Sequence, residues 1–274
     1  MSYSEDEAAL GAQVADLRAE GDELYEVLQS LDPGDWSRTT TFKDWTIYDV
    51  VAHLHFSDHL AITTLNSAED LEASLRDMQS SDLPMVAYAR QWLGDVTEPE
   101  LLDRWRNLFV EMCERLAAAD PGRRLAWAGP PMKPRMFTTA RQMETWAHGW
   151  EISDLLGLTR KHSDRIYNIA TIGVRTFGWT FANRQLPVPS EIPYLRLSAP
   201  SGAIWEWSDP GSSNSVVGDA VAFCQVVTQT RNIADTDLVV TGEIAGQWMA
   251  MAQCFAGPPE DPPAPGSRVV ASLS

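Results

Sequence analysis

Glu144 and His148 stand four residues apart in METWAHGWEISD (143–154), and Glu151 follows three residues after the histidine. On a helix, positions i and i+4 emerge from one face, and Glu151 falls within about 20° of Glu144 on the same wheel. Imidazole and carboxylate in this array suit zinc, nickel or iron(II), and a nearby acid can orient the histidine or move protons. The same spacing is common on solvated helix faces, where it carries no chemistry. The neighbours favour the metal: Trp146, Trp150, Ile152 and Leu155 make this helix apolar around much of its circumference. A buried acid and imidazole would need partners.

A third ligand has to come from another helix. VAHLHFSDHL (51–60) supplies His53, His55 and His59. His55 and His59 are one turn apart and could pair, whereas His53 points towards Val50, Ser57 and Leu60. Wheel geometry leaves the choice between His53 and the His55/His59 pair open. Asp58 aligns with Ile47 and Leu54, an unusual place for an acid on a core face. His162, beside Lys161, reads as exposed.

The elements that must position these residues are helical over the first two thirds. Leu10, Val14, Leu17, Leu24 and Leu28 predict a helix over about residues 5–30, ending at Asp32-Pro33-Gly34. Thr46 and Asp49 form a capping box that opens a helix to about residue 66. Residues 67–94, broken at Pro84, read as short helices and loop. Thr97-Glu98-Pro99-Glu100 starts a helix that stops at Asp120-Pro121-Gly122. After GPPMKPRM, Thr139 opens the helix of the Glu–His stretch, which closes at Gly157, and one more helix spans about 163–183. Four long helices with short breaks predict an up-and-down bundle over residues 1–187.

From residue 188 to 274 the pattern changes to a small α+β domain. YLRLSA and AIWEWS alternate like strands around Pro200-Ser201-Gly202. DAVAFCQVVTQT and IAGQWMAMAQCFAG read as helices, LVVTG as a buried strand and RVVASL as a last strand. The fold class is thus α plus α/β: a helical bundle followed by a small C-terminal α+β domain.

Composition bounds the partners. A formal net charge of −17 over 274 residues argues against nucleic acid or an anionic membrane as the main partner. No apolar run reaches the roughly 18–20 residues of a membrane-spanning helix. Cys113, Cys224 and Cys254 are far apart within apolar segments, and they form no CxxC pair, which fits a reducing cytoplasm. They read as core residues rather than nucleophiles. No catalytic triad, P-loop or dinucleotide fingerprint is present.

Trp45-Thr46-Ile47-Tyr48-Asp49-Val50-Val51-Ala52-His53-Leu54, followed by Glu144-Thr145-Trp146-Ala147-His148, resembles the DinB-like metal-binding bundles. More closely it resembles the mycothiol-dependent maleylpyruvate isomerase family of actinobacteria. VVGDAVAFCQVVTQTRNIADTDLVVTGEIAGQWMAMAQCFAGPP extends that resemblance into the C-terminal domain. The resemblance implies His53, Glu144 and His148 as the ligands of a divalent metal, zinc ahead of nickel or iron. It implies mycothiol as thiol cosubstrate and structural or pocket-lining roles for His55 and His59. Glu151 stands where the family often has an aspartate, and would support a ligand or handle protons. In the isomerase the C-terminal domain contributes an arginine to the site. Arg231 is the counterpart by position, although a charge satisfying a helix C-terminus is an equal reading.

The expected function is therefore a metal-dependent isomerase or transferase, in which metal activates a thiol or water to attack a small electrophilic substrate. A non-catalytic metal or small-ligand binding protein and a thiol-independent metal hydrolase are the alternatives. A homodimer is plausible for such bundles, and no sequence feature decides it.

Overall fold

Helix α1, Tyr3–Gln29, buries Leu10, Val14, Leu17, Leu24 and Leu28 along one stripe, as helical spacing requires. In the computed structural model residues 3–268 are described, and the chain divides into two compact units, Met1–Ile152 and Ser153–Ser274. Among the described residues no helix is long and apolar enough to cross a membrane.

In the first unit α2, Ile47–Asn66, is the most enclosed element. It packs against α3 (Ala68–Ser80), α4 (Met85–Leu93) and α5 (Glu98–Ala117), while α1 packs on α5. Gly21 permits that last approach, because a Cβ there would collide with the Phe109 ring. The expected capping box is present. Thr46 N–H donates to Asp49 Oδ2 at 2.9 Å and Asp49 N–H donates to Thr46 Oγ1 at 3.2 Å, so Thr46, next to Trp45, is the N-cap and α2 starts at Ile47.

The fourth long helix, α6, covers Pro134–Leu156. It begins five residues before Thr139, the expected start, because Pro134 stands at the first helical position, where its fixed φ and missing N–H cost nothing. Gln13 of α1 donates to Thr139, and Arg135 donates to Gln13 at 3.4 Å. These bonds seat α6 on α1. Between α6 and α2, Arg141 Nη2 and Nε donate to Asp58 Oδ1 at 2.9 and 3.2 Å, and Trp105 Nε1 of α5 donates to Asp58 Oδ2 at 3.1 Å. Asp58 thus faces the core because a buried cation meets it there.

The second unit holds α7 (Tyr167–Arg175), α8 (Phe177–Asn183), α9 (Ala220–Val227), α10 (Glu243–Met249) and a small sheet. The continuous helix expected over 163–183 is broken at Thr176, whose hydroxyl donates to Ile172 O at 2.8 Å and Gly173 O at 3.0 Å. Strands β1 (Tyr194–Ser198), β2 (Ile204–Trp207), β3 (Ser215–Asp219) and β4 (Val239–Thr241) lie in the order β2-β1-β3-β4. The β1–β3 pair is parallel, with Leu195 opposite Val216, and the other two pairs are antiparallel. The sequence reading had no counterpart for β3. The last strand expected, RVVASL, lies outside the described residues beyond Arg268.

The composition change near residue 187 set the expected domain boundary, whereas the two units divide within α6. The helices between these points pack on the second unit's core. A Cβ on Gly173 would stand 2.8 Å from Val227 and 3.1 Å from Phe223, and the Phe177 and Trp248 rings meet at 5.1 Å. All three cysteines are buried, and none is in a disulfide.

Candidate metal centre

The cluster lies wholly in the first unit, where α2 supplies His53 and α6 supplies Glu144 and His148. His148 Nε2 lies 3.5 Å and His53 Nε2 3.7 Å from Glu144 Oε2. All three residues offer donor atoms within 4.8 Å of one another. With metal–ligand bonds of about 2.0–2.2 Å, tetrahedral ligands stand roughly 3.3–3.6 Å apart. The donor set and its spacing therefore fit a divalent ion. Both imidazole side chains are buried, at 9% and 8% exposure, while Glu144 keeps 26%. Glu144 is thus the most accessible of the three.

Glu151 completes the arrangement from behind. Its Oε2 lies 2.9 Å from His148 Nδ1, and its side chain is buried. A carboxylate there holds the proton on Nδ1 and leaves the Nε2 lone pair for a ligand, as buried metal-binding histidines require. Glu151→Ala is expected to weaken zinc binding by about 10- to 100-fold while leaving three ligands in place. Competition with a chromogenic chelator reads this directly, and an unchanged affinity would rule out the orienting role.

Burial pulls both imidazoles towards the neutral form. For His53 burial prevails, and its pKa falls to about 4. For His148 burial is outweighed by the charges and hydrogen bonds of Glu151 and Glu144, which lift it to about 9. Burial also opposes ionisation of Glu144, but hydrogen bonds from His148 and His53 hold its carboxyl well below the usual range. The His148 ring sits between Glu144 and Glu151, where a proton and a metal cation would compete for it.

A short hairpin covers the imidazole faces. Thr39 bridges Thr46, Thr40 N–H donates to Trp45 O at 2.7 Å, and Trp45 N–H donates to Phe42 O at 2.9 Å. Lys43 and Asp44 between them have φ of 50° and 56°, the left-handed pair of a type I′ turn. The turn sets Trp45 against both rings, with centroids 5.2 Å from His53 and 6.0 Å from His148, and Phe42 5.4 Å from His148. Sequence reasoning did not assign Phe42 or Trp45 a place in the site. Phe-Lys-Asp-Trp has no glycine or asparagine to announce the turn.

His55 and His59 do not join the cluster. They pack on Trp92, at 5.4 and 4.7 Å between centroids, and line a separate open groove of about 420 Å³ with Arg104 and Asn107. Arg231, in the second unit, donates from Nη1 and Nη2 to the two oxygens of Asp154, both at 2.7 Å, and from Nη1 to Thr230 O at 2.8 Å. Burial raises the Asp154 carboxyl despite this partner.

A helical bundle whose interior holds two histidines and a glutamate as a cluster able to bind a metal, joined to a small unit built around a mixed sheet, is the class defined by fold and site. Residues 17–153 match the family profile described as "Mycothiol maleylpyruvate isomerase N-terminal domain". An uncharacterised protein of Mycobacterium tuberculosis, found in two strains, is 38% identical over 249 residues, covering 91% of this chain and 97% of the relative. The chain belongs to the mycothiol maleylpyruvate isomerase N-terminal-domain family. The crystal structure of a histidine-to-alanine mutant of the mycothiol-dependent maleylpyruvate isomerase superposes with a TM-score of 0.53 at 11% identity, covering 79% of this chain and 88% of that one. At that identity the likeness is one of fold.

Proposed function

We propose that this protein is a metal-dependent enzyme of the thiol-dependent isomerase or transferase type. A divalent ion, zinc before nickel or iron(II), is held by His53, Glu144 and His148, and the reaction joins a low-molecular-weight thiol to a small electrophilic substrate. The observation that carries this reading is the convergence of two imidazole nitrogens and a carboxylate oxygen, with Glu151 on the second nitrogen of one of the imidazoles. Mycothiol as the thiol is supported by family membership.

A bound ion supplies Lewis acidity that brings the pKa of a thiol or water towards neutrality. Three protein ligands are the number found at catalytic rather than structural sites. The chain's own residues do the rest. Glu144 marks the side from which a thiol can approach. Trp45 and Phe42 cover the imidazole faces and exclude water there. Glu151 meets His148 through Nδ1, away from the donor nitrogen, so it orients the ring and keeps its proton in place. Arg231, pre-oriented by Asp154, is the candidate cation for an anionic substrate group. A thiolate added to an electrophilic double bond lets that bond rotate before the thiolate is expelled, which is isomerisation. The same thiolate opening an epoxide or displacing a leaving group gives transfer. The reaction needs a reducing compartment, and we place it in the cytoplasm.

The test is calorimetry and turnover with mycothiol and a panel of α,β-unsaturated acids and epoxides, using zinc-loaded and zinc-stripped protein. Heat of thiol binding and turnover are both expected only with zinc. Zinc-dependent turnover without thiol would make the protein a hydrolase. Saturable stabilisation of the fold without turnover of any substrate would make it a binder.

A further inference from the structure

The two imidazoles of the cluster are supported unequally. His148 has the Glu151 carboxylate on its second nitrogen. His53 has nothing comparable, since its Nδ1 is buried and has no hydrogen-bond partner among the described residues. A ligating imidazole normally donates its other N–H to an acceptor, which fixes both tautomer and ring orientation. Without that bond, rotation about the Cβ–Cγ bond would swing Nε2 away from Glu144 unless packing prevents it.

Packing is present on that ring. Trp45 lies 5.2 Å from the His53 ring with its plane tilted by 55°, and nearly parallel to the His148 ring, at 12°. The two imidazoles meet edge to face at 4.7 Å. Phe42 closes the group, 5.0 Å from Trp45 and 5.4 Å from His148. Trp45 is itself fixed from both sides. Its backbone closes the turn at Phe42 and pairs with Thr40, and Thr46 beside it caps α2. The indole is therefore carried on the rigid start of the helix that bears His53.

We propose that Trp45 is a positioning residue for the metal centre, holding His53 in its ligating orientation by ring packing where His148 is held by a hydrogen bond. This rests on His53, Glu144 and His148 binding a metal. Two consequences separate it from a general packing role. Trp45 also lies against His148, but Glu151 already holds that ring, so most of the Trp45 effect should vanish once His53 is gone. A smaller aromatic ring should preserve much of the effect, and an aliphatic side chain should not.

Cobalt(II) titrations of wild type, W45L, W45F, H53A and the double variants W45L/H53A and W45F/H53A test this, reading affinity and the visible d–d spectrum. W45L should bind about 10- to 100-fold more weakly than wild type, with a spectrum shifted towards that of H53A. W45F should fall between them. In the H53A background both Trp45 substitutions should lose most of their effect on affinity. Circular dichroism checks folding, and W45F against H53A carries the cycle if W45L does not fold. Equal affinity and spectrum in wild type and W45L, or losses that simply add in the double variants, would overturn the proposal. Wild type that binds no cobalt would remove the metal reading itself, and the proposal with it.

Discussion

Asp58→Ala should lower the unfolding free energy by about 3–5 kcal/mol, the cost of breaking a buried ion pair by removing one partner. The Asp58 and Arg141 side chains are only 1% and 3% exposed. Alanine would strand a guanidinium and the Trp105 indole N–H inside the bundle, where neither has water to replace the lost acceptor. Asp58→Asn keeps acceptor capacity without the charge, and should cost less. Urea unfolding followed by helical circular dichroism measures both, with a lower midpoint and an unchanged slope expected. A loss under about 1 kcal/mol in Asp58→Ala would show that the pair is not isolated from solvent, contrary to the stranding argument. The effect should extend to the metal centre. Asp58 lies five residues past His53 on α2, and Arg141 three residues before Glu144 on α6, so the ion pair ties together the two helices that carry the candidate ligands.

The second large effect is on the metal itself. Wild-type protein purified with zinc should hold close to one equivalent, and H53A, E144A and H148A should each hold far less, by elemental analysis. Equal metal in all four would sink the ligand assignment. The pH dependence has a definite sign. His148 is raised from 6.5 to about 9 by its two carboxylates, so ion binding between those values should release about one proton, and affinity should rise with pH up to about 9. Metal-free protein should behave in the opposite way. A group with a raised folded pKa contributes stability fully below its unfolded pKa and loses it as pH climbs through the folded one. Stability of the stripped protein should therefore decline from about pH 6.5 to 9.

Much of this was legible in sequence where local rules apply. The capping box at Thr46 and Asp49, the buried stripe of α1 and the pairing of Glu144 with His148 follow from spacing over one or two turns. Asp58 was visible as an anomaly, but its solution was not, since Arg141 lies 83 residues away. The choice of His53 over His55 and His59 needed the family resemblance, because three histidines within two turns of α2 differ only in which neighbour each meets. The hairpin over the cluster left no mark, since its left-handed turn is made by Lys43 and Asp44, ordinary residues in that local pattern. Helices α7 and α8 read as a continuation of the bundle because helical periodicity does not say which core a helix joins. That information lies in Gly173 and Phe177, which fit side chains from α9 and α10.

The cysteines carry a consequence for a protein that would work among small thiols. Cys113, Cys224 and Cys254 are all enclosed. Burial pushes the Cys113 thiol up to about 12 and the Cys224 thiol well above its ordinary value. Exchange with a disulfide needs a thiolate that solvent can reach. The folded chain therefore offers its own sulfur poorly to mixed-disulfide formation, and an oxidised thiol pool would pass it by until it unfolds.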